Sequence, residues 1–495
     1  MHLPRLPVRI ISLALLFFFL FSTLNWVPGG RQCCYAFSVG EERELGERLL
    51  SLIRKEFSLL DDPDITRYMA SIGQLALKEA GTQYFDYHFF VINERELNAF
   101  AAPSGLIFVN SGLIETINSE DELLSVLAHE CGHVVSRHIA KRMEKSSKVG
   151  MGTMAGVLAG ILLGAATGSG GELSEALITG SMAAGATMNL KFSREDEAEA
   201  DHLALNWMQA QDRNPKGMLE LLRKLRQMRR LTSGTPPPYL LTHPEPEVRM
   251  GYVQDWLAGH PDRTFPAADR FNFLRTKYRI YSLTREPGTL IPHFQKEISR
   301  KDTPEFDRSM DMYGLSQAYL ANDNLDKAEG ALKQVMERLP DRKILAADLG
   351  VIYYKEGRYE EAIKALSIAR EDQVLESYPT FYLAKTYHQT GNLSQALTMY
   401  EGLLPALPDY SKLYYEIGNV YTQQDKKGAA AYYLGVYNWL IGDVKMAKYH
   451  LRQAVKELPE QDRIREQAVA KLTLIEELTK EDEFESRRKE RRRRF

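Results

Sequence analysis

His129-Glu130-Cys131-Gly132-His133 sets two imidazoles four residues apart with a carboxylate beside the first. On a helix, residues i and i+4 share a face with their Cβ atoms about 6 Å apart, so both rings can reach one tetrahedral Zn2+. Glu130 points beside the metal, where it can take a proton from a bound water. The flanking residues Val126, Leu127, Ala128, Val134 and Val135 carry no charge. Unpaired His and Glu in so apolar a helix would be costly, which argues against two incidental surface histidines. A hydrolytic zinc also needs a third protein ligand and an open position. Residues 193–201 (SREDEAEAD) offer Glu197 and Asp201, again i and i+4. Glu197 completes a His2Glu set for one zinc per chain, and Asp201, one turn on, can orient an imidazole through its second nitrogen. Spacing alone leaves a solvated acidic helix face as an equal alternative, because Glu195, Asp196 and Glu199 are acidic too. Cys131 reads as a small core residue. His138 falls on the far side of the helix from His129 and is not counted as a ligand.

These groups need elements to hold them. Ser119 with Glu122 three residues on fits a capping box, which opens the metal helix and carries it to about Arg142. Ser193 with Asp196 starts the helix of Glu197 by the same logic. Upstream, apolar spacing predicts two helices between residues 40 and 80. The aromatic and β-branched run 84–92 (YFDYHFFVI) predicts a strand, and a turn at Pro103-Ser104-Gly105 leads into a second strand, 106–110. That second strand is the expected place for an extended substrate to bind by β-addition. Residues 149–190 turn to Gly, Ala, Met and Leu and read as a flexible helical flap over the site that touches the membrane surface. The Pro-rich stretch 232–248 (TSGTPPPYLLTHPEPEV) excludes regular helix.

At 495 residues the chain has room for two or three domains, with a 44% hydrophobic and 26% charged composition ordinary for globular protein. Its 63 basic and 66 acidic residues leave no basic excess for nucleic acid. Residues 1–36 differ: Arg5 and Arg9 precede an apolar run over 10–27, and small residues Cys34 and Ala36 precede a cleavage point after Ala36. This is a secretory layout, with an uncleaved inner-membrane anchor as the competing reading. Cleavage there leaves Cys131 alone of three cysteines, so no disulfide forms within the chain. The run of arginines in 487–494 reads as a solvated, disordered end.

Residues 308–460 repeat. Tyr319, Tyr353, Tyr387 and Tyr421 are each 34 apart, and Ala328, Ala362, Ala396 and Ala430 follow each by nine. Pro340 and Pro408, and Gly350 and Gly418, keep two such periods. A 34-residue period with small residues where helices cross resembles the tetratricopeptide repeat. Gly442, Ala447, Leu451 and Pro459 fit a repeat shifted by half a period, expected to close the stack. Stacked repeats offer a long groove for a protein partner, against a spacer role.

The set 99–105 (AFAAPSG), 129–133 (HECGH) and 193–201 resembles the metallopeptidase family that includes the bacterial heat-shock membrane protease and the CAAX prenyl endoprotease. With an export signal in front and repeats behind, the resemblance is to periplasmic members from Gram-negative bacteria and covers nearly all of residues 40–460. It implies Zn2+ held by His129, His133 and Glu197, with Asp201 as the supporting acid and Glu130 as the base. The fold it implies is mainly α: a gluzincin-like α+β zinc protease domain with a small β-sheet (37–265), a connecting segment (266–305), an α-solenoid of tetratricopeptide repeats (306–460) and a helical end with a basic tail (461–495). It implies unfolded or outer-membrane proteins as substrates, and a location free in the periplasm or tethered by residues 10–27. The basic tail is not part of the family's pattern. An oxyanion donor is still needed, and His243 and Arg249 after the Pro-rich loop are candidates. His243 has two further readings: a fourth zinc ligand that displaces the water and makes the enzyme latent, or an ordinary loop residue. The rival to a protease is a periplasmic chaperone or assembly factor with a structural or latent zinc. A second rival is a membrane-anchored enzyme that processes lipidated or helical membrane segments.

Overall fold

The computed structural model describes residues 37–144, 158, 160, 191–231, 237–260, 264–266, 268–370 and 376–493, with side chains described to 480. The expected leader (1–36), almost all of the expected flap (149–190) and the side chains of the basic tail lie outside the described residues. Among the described residues no helix is long and apolar enough to cross a membrane.

Helix α1 (Val39–Glu56) opens on a reciprocal cap between Ser38 and Glu41, and α2 (Pro63–Leu77) on Asp62, which accepts from Asp64 and Ile65 amides. Three short strands follow: β1 (His88–Ile92), β2 (Ala99–Ala102) and β3 (Leu106–Asn110). They pair in the order β1-β3-β2, parallel between β1 and β3 and antiparallel between β2 and β3. The strand 106–110 is therefore central and bonded on both sides, which overturns its expected role in substrate addition. The edges fall to β1 and to β2, the latter hidden in the sequence because alanine, which dominates AFAA, is depleted in strands. Left-handed Ser104 (φ 69°) and Gly105 (φ 81°) fold β2 tightly back onto β3.

After α3 (Ser111–Thr116), Ser119 caps α4 (Glu120–Val135) by accepting from the Glu122 amide at 3.2 Å. The Glu122 carboxylate bonds the Asn118 amide, one residue before the expected partner. Helix α4 does not run to Arg142. It stops at Val135, Arg137 turns left-handed (φ 51°), and α5 (His138–Glu144) starts in a new direction. Arg137 is pinned there by Glu42 at 2.9 Å and the Phe37 carbonyl at 2.7 Å, a tie from distant sequence that local propensity does not register.

Next come α6 (Arg194–Ala210), α7 (Lys216–Leu231), the single turn α8 (Tyr239–Thr242) and α9 (Pro246–Ala258). The Pro-rich stretch thus holds a helical turn and a helix start. Pro246 sits at the first position of α9, where its missing N–H has no partner to lose. Helices α10 (Arg270–Thr284) and α11 (Pro287–Ser299) lead to the repeats. There α12 (Glu305–Ala321) and α13 (Leu325–Arg338), α14 (Leu345–Lys355) and α15 (Tyr359–Ala369), α16 (Ser377–Gln389) and α17 (Leu393–Leu403), and α18 (Ser411–Gln423) and α19 (Lys427–Leu440) pack as consecutive pairs. Ala328, Ala362 and Ala396 are fully buried where these helices cross. Helix α20 (Val444–Glu457) packs on α19 after the Gly442 turn, and α21 (Arg463–Arg493) lies against α20.

The repeats pack back onto the first helices of the chain: α16 meets α2, and α19 and α21 meet α1. Part of the surface expected to face a partner thus faces the chain's own protease-side helices. The joint is ionic and dry. Arg275 of α10 reaches Asp64 at 2.6 Å and Asp348 of α14 at 3.0 Å, while Arg279 reaches Asp62 at 2.7 Å and Asp348 at 2.9 Å. Arg275 and Asp348 are fully buried. Removing one partner from such a set strands the others without solvation. Asp348→Ala is therefore expected to destabilise the fold by about 3–5 kcal/mol, seen as a lower midpoint in thermal and chemical unfolding; an unchanged midpoint would show that the joint contributes little.

Candidate metal centre

Helix α4 supplies His129, Glu130 and His133, each 1% exposed or less. Its other faces bury Leu123, Leu124, Val126, Leu127 and Cys131. Burial and the nearby Glu130 carboxylate push the Cys131 thiol far above its ordinary range, so it stays protonated and inert. Gly132 faces α6: a Cβ there would lie 3.2 Å from the Ala200 Cα. This close approach carries Glu197, one turn before Asp201, to the two histidines. The cap on Ser193, reciprocal with Asp196, fixes where α6 begins.

His129 Nε2 and His133 Nε2 stand 3.1 Å apart, and Glu197 lies 3.5 Å from each. Ligands at about 2.0–2.1 Å from a tetrahedral zinc stand about 3.3 Å from one another. The three donors fit such an ion. His243 joins them, with Nδ1 3.3 Å from His129 Nε2 and 3.0 Å from Glu197 Oε1. One ligand atom from each of His129, His133, Glu197 and His243 lies within 4.8 Å of every other. His243 Nε2 and Glu130 Oε1 are buried without hydrogen-bond partners and face each other at 3.4 Å. The other Glu130 oxygen accepts from the Ala101 amide of β2 at 2.9 Å.

The surroundings settle charge and orientation. Asp201 bonds His129 Nδ1 at 2.8 Å. Arg249 of α9 grips Asp201 at 2.7 and 2.9 Å and pairs with Glu197 at 2.9 Å. Burial raises the cost of a charged Glu197, yet His243 and Arg249 hold its carboxyl well below the usual range. Burial and Arg249 oppose a charge on His129, but Asp201 and Glu197 lift it to about 9. Burial pushes His133 the other way, well below an ordinary imidazole. Arg249, read as an oxyanion donor, is instead committed to these two carboxylates.

His243 is placed by the segment the sequence marked only as Pro-rich. Its amide bonds the Tyr239 carbonyl at 2.9 Å, and the Tyr239 ring stacks on it with centroids 4.4 Å apart. The Phe192 amide bonds the Thr242 carbonyl at 3.0 Å, and its ring covers His133 at 3.8 Å. Phe192 and Ala101 were missed in the sequence, since a lone aromatic and a backbone amide carry no motif. His138 stays outside the ligand group, as expected, but the break at Arg137 brings its Nδ1 to 2.9 Å from His133 Nδ1.

A carboxylate beside two histidines of one helix, met by a glutamate from a second helix under a small sheet, defines the class of helix-based metallopeptidases. The comparisons place the chain within it: it belongs to peptidase family M48, whose model matches residues 63–257, and a tetratricopeptide-repeat model matches 319–378. The β-barrel assembly-enhancing protease of Escherichia coli strain K12 is 30% identical over 368 residues, 72% of each chain. A putative β-barrel assembly-enhancing protease of Vibrio cholerae is 27% identical, covering 61% of this chain and 62% of that one. The mitochondrial metalloendopeptidase OMA1 of Schizosaccharomyces pombe is 25% identical over 48% of this chain and 67% of its own. The protein is a metallopeptidase with tetratricopeptide repeats, and the buried His/Glu cluster is its candidate metal site.

Elemental analysis of the purified protein is expected to give one divalent ion per chain, with His129→Ala and Glu197→Gln each reducing it to near zero. Full occupancy in both variants would remove these residues from the ligand set.

Proposed function

We propose that this protein is a zinc endopeptidase of the Gram-negative periplasm that cleaves misfolded or stalled outer-membrane proteins, and that His243 keeps the resting enzyme closed. The substrate class and compartment take support from the names of the bacterial relatives and from the secretory layout of residues 1–36. Residues 10–27 act as a leader or a tether, and the repeats hold substrate or assembly machinery. Only the part of their surface not packed on α1 and α2 serves that role.

Held by His129, His133 and Glu197, zinc would polarise the scissile carbonyl and acidify a water. Glu130 takes the proton of that water and returns it to the leaving amine. The Ala101 amide fixes one Glu130 oxygen at 2.9 Å and leaves the other turned to the ligands. Strand β2, the sheet edge beside Glu130, gives an extended substrate its backbone partners.

One observation carries the closed state: His243 is fully buried between Glu197, 3.0 Å away, and Glu130, 3.4 Å away. It fills the space that water and substrate need. Release requires α8 and the turn through Glu245 to move. Glu245 is left-handed (φ 60°) and tied to α6 by its pair with Arg194 at 2.7 Å. The same closure favours a second reading, an assembly factor with a latent or structural zinc, because structural sites have four protein ligands.

Cleavage of an unfolded protein substrate separates the two. Glu130→Gln is expected to lower the rate about 10²–10⁴-fold, whereas an assembly function would survive it. His243→Ala is expected to raise the rate about tenfold by enlarging the competent population. If His243→Ala changes neither rate nor metal affinity, the gating reading is wrong.

A further inference from the structure

We propose that His138 is a positioning residue for the metal, acting as the fixed acceptor for the Nδ1 proton of His133. The inference rests on the reading that His129, His133 and Glu197 hold the ion. With both Nε2 atoms turned to the cluster, each ligand imidazole has an Nδ1 left to satisfy in a dry interior. His129 has Asp201 for this. Among the described residues no carboxylate reaches His133 Nδ1; its partner is His138 Nδ1 at 2.9 Å. His138 is itself 1% exposed.

Two facing ring nitrogens need one donor and one acceptor. His133 in its ligand form carries the proton on Nδ1, so His138 accepts and keeps its own proton on Nε2. That nitrogen lies 3.3 Å from Glu199 Oε2, with an Asp196 oxygen further off at 3.7 Å. The other Glu199 oxygen takes the Ser136 hydroxyl at 2.7 Å. A chain of polar groups thus runs from the metal pocket through His133 and His138 to Glu199 on α6, the helix that also supplies Glu197 and Asp201. One helix orients both ligand histidines, one directly and one through His138.

The backbone is bent to allow this. On a continuous α-helix, residues five apart point about 140° away from each other. The left-handed Arg137 between them (φ 51°) turns the chain so that His138 faces His133. The break that overturned the single-helix expectation therefore has a consequence at the site.

The test is zinc affinity of the full chain, measured by competition with a chromophoric chelator. An asparagine Oδ1 stands near the place of the imidazole Nδ1 and accepts a hydrogen bond; a glutamine oxygen stands near that of Nε2. His138→Leu is expected to weaken zinc binding about 10–100-fold, His138→Asn to restore most of it, and His138→Gln to restore little. Wild-type affinity in His138→Leu overturns the proposal, as does equal affinity in the Asn and Gln variants. The Asn and Gln pair keeps the test decisive if the leucine variant does not fold. A wild-type chain that binds no zinc overturns the metal centre itself, before His138 enters.

Discussion

At Gly132 the helix that bears both histidines has no side chain, and Ala200 of the crossing helix comes within 3.2 Å of where a Cβ would stand. The rest of the site depends on that approach. Glu197, Asp201 and Glu199 ride on the same helix, so its distance from α4 sets the Glu197 separations of 3.5 Å and the Asp201 bond to His129 at once. A methyl group at 132 would require Ala200 to give way by a few tenths of an ångström. Arg249 then answers the charge problem the approach creates, pairing with both buried acids.

How far the sequence disclosed this follows from where each signal lies. The pair His129 and His133 is local, and so is Glu197 to Asp201; helical periodicity brings each pair to one face without tertiary knowledge. The 34-residue spacing of Tyr319, Tyr353, Tyr387 and Tyr421 is local in the same sense, and the repeats follow from it. The strand AFAA pairs with residues 106–109 close by and is hidden only by its alanines, whereas the helix break at Arg137 and the ionic joint at Asp348 are set by partners far along the chain. Arg137 is bound by Phe37 and Glu42, and Asp348 by two arginines of α10, so no window of sequence contains them. The turn of His138 toward His133 escapes the sequence for that reason, its direction being decided about 100 residues away by the tie to Phe37.

The ionic joint and the metal pocket place the repeats and the protease in one mechanical unit. Asp62 and Asp64 begin α2, which packs on α4, while Asp348 belongs to the repeats. A partner that displaced the repeats would have to break buried pairs beside the helix that carries the ligands. The loop bearing His243 is held by stacking on Tyr239, a backbone bond from Phe192 to Thr242, an exposed pair between Arg194 and Glu245, and the buried contact of His243 with Glu197 at 3.0 Å.

On the proposed reading, His243 occupies the position a water would take. X-ray absorption at the zinc edge, on the resting full-length protein and on His243→Ala, tests it directly. Three imidazoles and one carboxylate are expected around the ion at rest, falling to two imidazoles with an added oxygen in the variant. Two imidazoles in the resting protein, unchanged by the substitution, would contradict it.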